Sequence, residues 1–219
     1  MNLFKLLPGL CLGVLGTVAV SSASLAQAAA AQSALAQSAP AAAGSVTQPI
    51  SALYAQLTQI ERSHGSFAQR AQLLAPVVDQ VFNLPVVLQN SLGLRYRTLP
   101  ETQKQQLLEQ FRQFTIARYV SNFAAGGSDT FKVDPTVTVS PIPGDQIVHT
   151  QIVASGASTD INYVMRQGAG GWQVVDVLLN GNISQVAVQR ADFGSSLTSG
   201  DATSLIDSLR KKTQAFSES

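Results

Sequence analysis

Between residues 131 and 179 the hydrophobic pattern changes from a helical period to a strand period, and that change narrows the possible folds more than any other feature of the chain. Phe131, Val133, Val137 and Val139 alternate with Lys132, Asp134, Thr136 and Thr138, and Ile161, Tyr163 and Met165 alternate with Asp160, Asn162 and Arg166. Successive side chains leave a strand on opposite faces, so this alternation of β-branched and aromatic residues with polar ones predicts half-buried strands. Turn-forming runs at Pro143-Gly144-Asp145, Ser155-Gly156-Ala157 and Gly168-Ala169-Gly170-Gly171 divide the stretch into four strands of an antiparallel meander. The last strand, residues 172–179, is apolar on both faces, which predicts a central position or cover on both sides.

On either side the period is helical. Asn83 is placed to cap a helix with Pro85 in its first turn and Gly93 at its end. Thr98-Leu99-Pro100-Glu101 has the spacing of a capping box, opening a long helix to about Ala124 that Gly126-Gly127 closes. On that helix Leu107, Leu108, Phe111, Phe114, Thr115 and Tyr119 share one face. Two helices follow the strands, at about residues 184–197 and 203–216. Helices, then a curled antiparallel sheet of about four to five strands, then helices make an α+β domain.

The N-terminal region reads as an export signal. A short start with Lys5 precedes an uncharged apolar run over residues 6–20, then small residues at Ser24-Leu25-Ala26 or Ala26-Gln27-Ala28. The run falls short of the roughly 20 residues that span a bilayer. Residues 1–26 are therefore expected to be a cleaved signal peptide, with an uncleaved anchor as the alternative, and the chain to work in the periplasm. Residues 27–49, nearly all Ala, Gln, Ser and Pro, are expected to be a disordered linker. Residues 50–219 form the folded domain, its ordered part running from about Ile50 to Phe216.

The only cysteine, Cys11, lies in the leader, so the mature chain would have no disulfide, thiolate metal site or cysteine nucleophile. Without Lys5 the chain carries 13 basic and 13 acidic residues, which offers nucleic acid no basic face. Catalytic motifs are sparse. His64 and His149 lack metal-ligand spacing, and no serine sits in a nucleophile elbow. Gly168 to Gly171 precede a strand rather than a helix, which excludes a phosphate loop. No cofactor and no metal is expected.

Three charged residues occupy apolar positions: Arg118 in the series Leu107, Phe111, Phe114, Arg118; Arg190 in Val186, Arg190, Phe193, Leu197; and Asp176 within Val174-Val175-Asp176-Val177. A buried charge needs a partner. Asp176 can bridge to one arginine, leaving the second to meet an anionic ligand group through its planar fork, or the guanidinium can reach solvent along its stem.

The motifs resemble a known family. Phe67-Ala68-Gln69-Arg70 with residues 74–82, Gln110-Phe111 to Arg118-Tyr119, Gly171-Trp172-Gln173-Val174-Val175-Asp176-Val177, Asn180-Gly181-Asn182-Ile183-Ser184, Arg190-x-x-Phe193 and residues 205–212 are similar in order and spacing to the toluene-tolerance, or MlaC-type, family of periplasmic phospholipid-binding proteins. Asn83 after Phe82, Val188-Gln189 before Arg190, and Tyr119-Val120-Ser121-Asn122-Phe123 look more like the branch associated with hopanoid biosynthesis. The resemblance implies an NTF2-like fold whose curved sheet and helices enclose an apolar pocket, and a non-enzymatic, monomeric carrier. It also implies phospholipid or hopanoid as ligand, and transient contacts with an inner-membrane ABC transporter complex and an outer-membrane lipoprotein or porin complex that together maintain outer-membrane asymmetry.

On that reading the lipid-contacting residues are Phe82, Leu88 and Leu92, then Phe111, Phe114, Tyr119 and Phe123 from the long helix. Val139, Tyr163, Met165, Val175, Val177 and Leu179 come from the sheet, and Arg118, Asp176 and Arg190 serve as structural or headgroup charges. Taken one by one, these residues are better read as filling an ordinary core. Two other readings stay open: an enzyme using Asp176 and Tyr163 as acid and base, and a ligand-free adaptor in an envelope complex.

Overall fold

The first helix, α1 (Ala43–Arg62), begins before the expected domain boundary at Ile50 in the computed structural model, which describes residues 43–218. The signal peptide and residues 27–42 of the expected linker lie outside the described residues. Residues 43–49, assigned to that linker, are helical instead. Val46, Ile50, Leu53, Leu57 and Ile60 recur every three or four residues and are fully buried, so packing outweighs the backbone bond lost at Pro49.

The second helix, α2 (Phe67–Val81), opens with a capping box. Ser66 Oγ accepts from Gln69 N at 3.3 Å, and Gln69 Oε1 accepts from Ser66 N at 2.8 Å. The third, α3 (Leu84–Leu92), starts where expected, with Asn83 accepting from Val86 N at 3.2 Å. It ends at Gly93, whose φ of +59° suits a residue without Cβ. A 3-10 turn (Gly93–Thr98) then leads to α4 (Glu101–Asn122). The box expected at Thr98 and Glu101 is not made. Thr98 ends the 3-10 turn and donates its hydroxyl to Arg95 O at 2.9 Å, while Pro100 takes the cap position without a side-chain bond.

The strands β1 (Thr130–Val139), β2 (Asp145–Ala154), β3 (Ala157–Gly168), β4 (Gly171–Leu179) and β5 (Ile183–Ser184) pair in sequence order, all antiparallel. They are followed by α5 (Gln185–Gly194) and α6 (Thr203–Ser217), which packs on α4. β4 is not central, because only the two-residue β5 lies beyond it. It gains cover instead from the α2–α3 junction, where Asn83 N donates to Val174 O at 2.9 Å. A bulge places Val175 between the residues paired with Val164 and Met165. A second irregularity at Pro135 interrupts the outer strand β1.

Cross-strand partners share a face, so Val137, Val148, Tyr163 and Val177 form one row, and Val133, Thr150, Ile161 and Leu179 the next. This face carries the core, and α1 lies against it. At its end the β2–β3 pairing is fastened by Arg166, which grips the buried Asp145 carboxylate through Nε and Nη2 at 2.7 Å each.

The loop from α4 to β1 closes on the end of α1. Gly126 N donates to Glu61 O at 2.7 Å, and a Cβ at Gly127 would stand 2.6 Å from Glu61 Oε1. Burial, and then the neighbouring Asp129 carboxylate, raise the Glu61 carboxyl from 4.5 to about 7. The folded protein thus holds this proton to higher pH than the unfolded chain. The contribution is complete below the unfolded value and is lost as pH rises through about 7. Urea midpoints followed from mildly acidic to mildly alkaline pH should therefore fall, and Glu61→Gln should flatten most of that slope.

Candidate functional site

Six aromatic rings form a continuous belt between the helices and the sheet. Phe82 of the α2–α3 junction lies 5.6 Å from Tyr119, which lies 6.2 Å from Phe123. Phe123 lies 5.5 Å from Phe131 on β1, Phe131 stacks on Tyr54 of α1 at 4.7 Å, and Tyr54 meets Tyr163 of β3 edge-on at 6.0 Å. Such pairs each add about 1 kcal/mol beyond their burial.

Within the belt the three tyrosine hydroxyls approach one another. Burial first, and then their mutual proximity, raise Tyr119 and Tyr163 above the usual phenol range, and burial raises Tyr54 as well. Thr150 gives its only proton to Ile161 O, so Tyr54 must be the donor in its bond with the Thr150 hydroxyl. The belt is therefore an apolar strip with a small polar centre of hydroxyl groups.

Arg70, 8% exposed, faces inward from α2 and donates through Nη1 to Val120 O at 3.0 Å and Phe123 O at 3.2 Å. It thus closes the C-terminal end of α4, where carbonyls favour a cation. Desolvation lowers its proton affinity, and its buried Nε has no hydrogen-bond partner among the described residues. Arg70, Tyr54, Phe131 and Thr150 are not among the site residues expected from sequence. Arg70 carries the same signal as Arg118, a charge on an apolar stripe, here Arg70, Leu74, Val78 and Val81.

The residues expected to contact lipid divide into groups. Phe82, Phe123, Tyr163 and Met165 are buried on the core side of the sheet, with Tyr119, Val177 and Leu179 half-buried beside them. Leu88 and Leu92 are buried on α3, which packs against α5. Phe111 and Phe114 turn away from the sheet, meeting Phe193 at 6.3 Å and Phe216 at 5.9 Å. They join α4 to the C-terminal helices rather than line the strip. Val175 is buried apart from the main core, because the bulge gives it no paired row on that face. Val139 is 82% exposed, past the end of the helical cover.

The charged trio is arranged differently from the expected bridge. Asp176 accepts from Val177 N at 2.8 Å, Val186 N at 3.1 Å and the hydroxyl of Ser184, the cap of α5, so it ties β4 to the start of that helix instead of pairing with an arginine. Arg118 donates to Gln185 Oε1 at 2.8 Å, and Arg190, exposed, donates to Asn90 O. Asp176 also pairs across from Val164, on the opposite face from Tyr163, so the acid–base pair considered from sequence is not assembled. Among the described residues no group of His, Cys, Asp and Glu is placed to hold a metal, and His149 bonds Thr138 Oγ1 at 2.8 Å.

The MlaC protein family model matches residues 48–211, which takes in most of α1 and nearly all of the stretch carrying the sequence motifs. This chain belongs to the MlaC family. The MlaC-family domain shares its fold with a phospholipid-binding protein from Ralstonia solanacearum solved in complex with a phospholipid, at a TM-score of 0.64 and 16% identity, over 78% of this chain and 98% of that one. No curated protein matches the sequence. Among the described residues no helix is long and apolar enough to cross a membrane.

The hydroxyl centre of the MlaC-family domain yields an asymmetry. Tyr54→Phe removes one donor and should cost about 1 kcal/mol of unfolding free energy. Thr150→Val removes both the acceptor of the Tyr54 hydroxyl and a donor to the Ile161 carbonyl and should cost about 2 kcal/mol. The double variant should lose less than the sum when compared by denaturant titration.

Proposed function

We propose that this protein is a periplasmic, non-enzymatic carrier that takes up the acyl chains of a phospholipid against the inner face of its sheet. In this reading it moves lipid between outer-membrane and inner-membrane transport complexes. Family membership supports the reading, as does a fold shared with a protein solved with phospholipid bound. The observation that carries it is the aromatic strip itself. Tyr119, Phe131, Val137, Val177 and Leu179 pack against the core yet keep part of their surface accessible, which leaves an apolar wall for a chain to lie against.

The driving force is desolvation. At about 0.8 kcal/mol per methylene, a 16-carbon chain in water costs on the order of 12 kcal/mol, so a carrier needs only to cover the chain in transit. The phosphate stays at the solvent edge, because burying it unpaired would be prohibitive.

Native mass spectrometry of protein purified from a bacterial periplasm, with solvent extraction, tests this. A discrete mass excess that extracts as phospholipid is expected, and a hopanoid would reassign the ligand. Val177→Trp or Leu179→Trp should keep the fold by circular dichroism while cutting lipid occupancy about tenfold, by filling the strip. A clean unliganded mass with no uptake from liposomes would favour a ligand-free adaptor.

A further inference from the structure

At the end of α3, away from the aromatic strip, the 3-10 turn and the last turn of α5 enclose a surface groove of about 580 Å³. Its walls carry three arginines, Arg95, Arg97 and Arg190, together with Leu92, Leu94 and Leu197, and no carboxylate. The chain as a whole has a formal charge of only +1, so this positive surface is local. A second depression, along α6, sets Lys211 and Lys212 beside Asp207 and is lined by no apolar residue, which makes the contrast clear.

Two of the arginines are held in place by backbone. Arg95 Nη1 donates to Gly194 O at 2.9 Å and Leu197 O at 3.2 Å. Arg190 donates to Asn90 O through Nε at 3.2 Å and Nη2 at 2.6 Å. Each closes a helix end with part of its guanidinium and keeps its remaining N–H groups unspent, on a frame fixed before any ligand arrives. Arg97 is exposed, and its side chain forms no hydrogen bond or ion pair among the described residues. Between Gly93 and Arg95 stands Leu94, 77% exposed on the turn that Gly93 directs outward.

An exposed leucine flanked by pre-set guanidiniums, with no acidic neighbour in the groove, matches the chemistry of a phospholipid interface. The arginines take phosphate oxygens through paired N–H groups, and the leucine enters at headgroup depth. An acidic protein surface would satisfy the arginines but leaves the solvated Leu94 unexplained. We propose that Leu94, Arg95, Arg97 and Arg190 form a docking surface for an anionic phospholipid membrane. The inference stands on this surface alone and holds whether or not the aromatic strip carries lipid.

Flotation of the purified protein with phosphatidylcholine vesicles, and with phosphatidylcholine mixed with phosphatidylglycerol, tests it. Binding should require phosphatidylglycerol and weaken with added salt. Arg97→Gln should lower the partition coefficient about fivefold, and Arg97→Lys should restore most of it. Leu94→Ser should weaken binding without changing the melting temperature, since Leu94 is solvated in the free protein. Leu94→Trp should show blue-shifted emission on vesicle addition. Equal binding to neutral vesicles, wild-type binding by Arg97→Gln, or an unshifted Leu94→Trp spectrum would overturn the proposal. Absence of flotation would also overturn it and leave the groove to an acidic protein. Lipid extracted from the same samples reports separately on the carrier reading.

Discussion

Everything in this domain depends on α1 lying against one face of an open sheet. A five-stranded sheet that ends in the two-residue β5 cannot close on itself, so its apolar face must be covered by something else. The stripe of Val46, Ile50, Leu53, Leu57 and Ile60 supplies that cover, and Tyr54 on the same helix reaches into the sheet to join Phe131, Thr150 and Tyr163. The remaining helices are arranged around this contact. The α2–α3 junction anchors to the sheet through Asn83 and α2 to α4 through Arg70, while α4 is braced from behind by Phe193 and Phe216.

This arrangement separates two kinds of burial. Phe111 and Phe114 are locked in helix–helix contacts, whereas the ring sequence from Phe82 to Tyr163 runs along the junction of helices and sheet. The junction is where a long apolar ligand would gain most, because its walls come from several elements and not from one rigid helix pair. Arg70 works against disorder at that junction, holding the last carbonyls of α4 in place beside the rings of Tyr119 and Phe123.

The sequence was most legible where the signal is local. Strand alternation and Gly- or Pro-bearing turns gave the meander, and Asn83, Pro85 and Gly93 marked α3. It was least legible where the deciding contact is distant. The start of α1 blends into an Ala- and Gln-rich run, and only its burial on the sheet reveals it as part of the domain. The period of α4 shows which side chains avoid water but not what covers them, and the rings of Phe111 and Phe114, expected to contact lipid, meet Phe193 and Phe216. For Asp176 the demand for a partner was sound, but backbone N–H groups and a serine hydroxyl at the start of α5 meet it where an arginine was expected.

Pro135 has a consequence beyond its own strand. An open sheet presents an outer rim of unpaired backbone groups, and a regular rim invites a strand from another molecule. Proline contributes no N–H, and the register shift around it breaks the regular spacing of β1. The rim is thereby a poor template for intermolecular strand addition. The domain can keep one side of its sheet unclosed without turning that opening into a seed for aggregation.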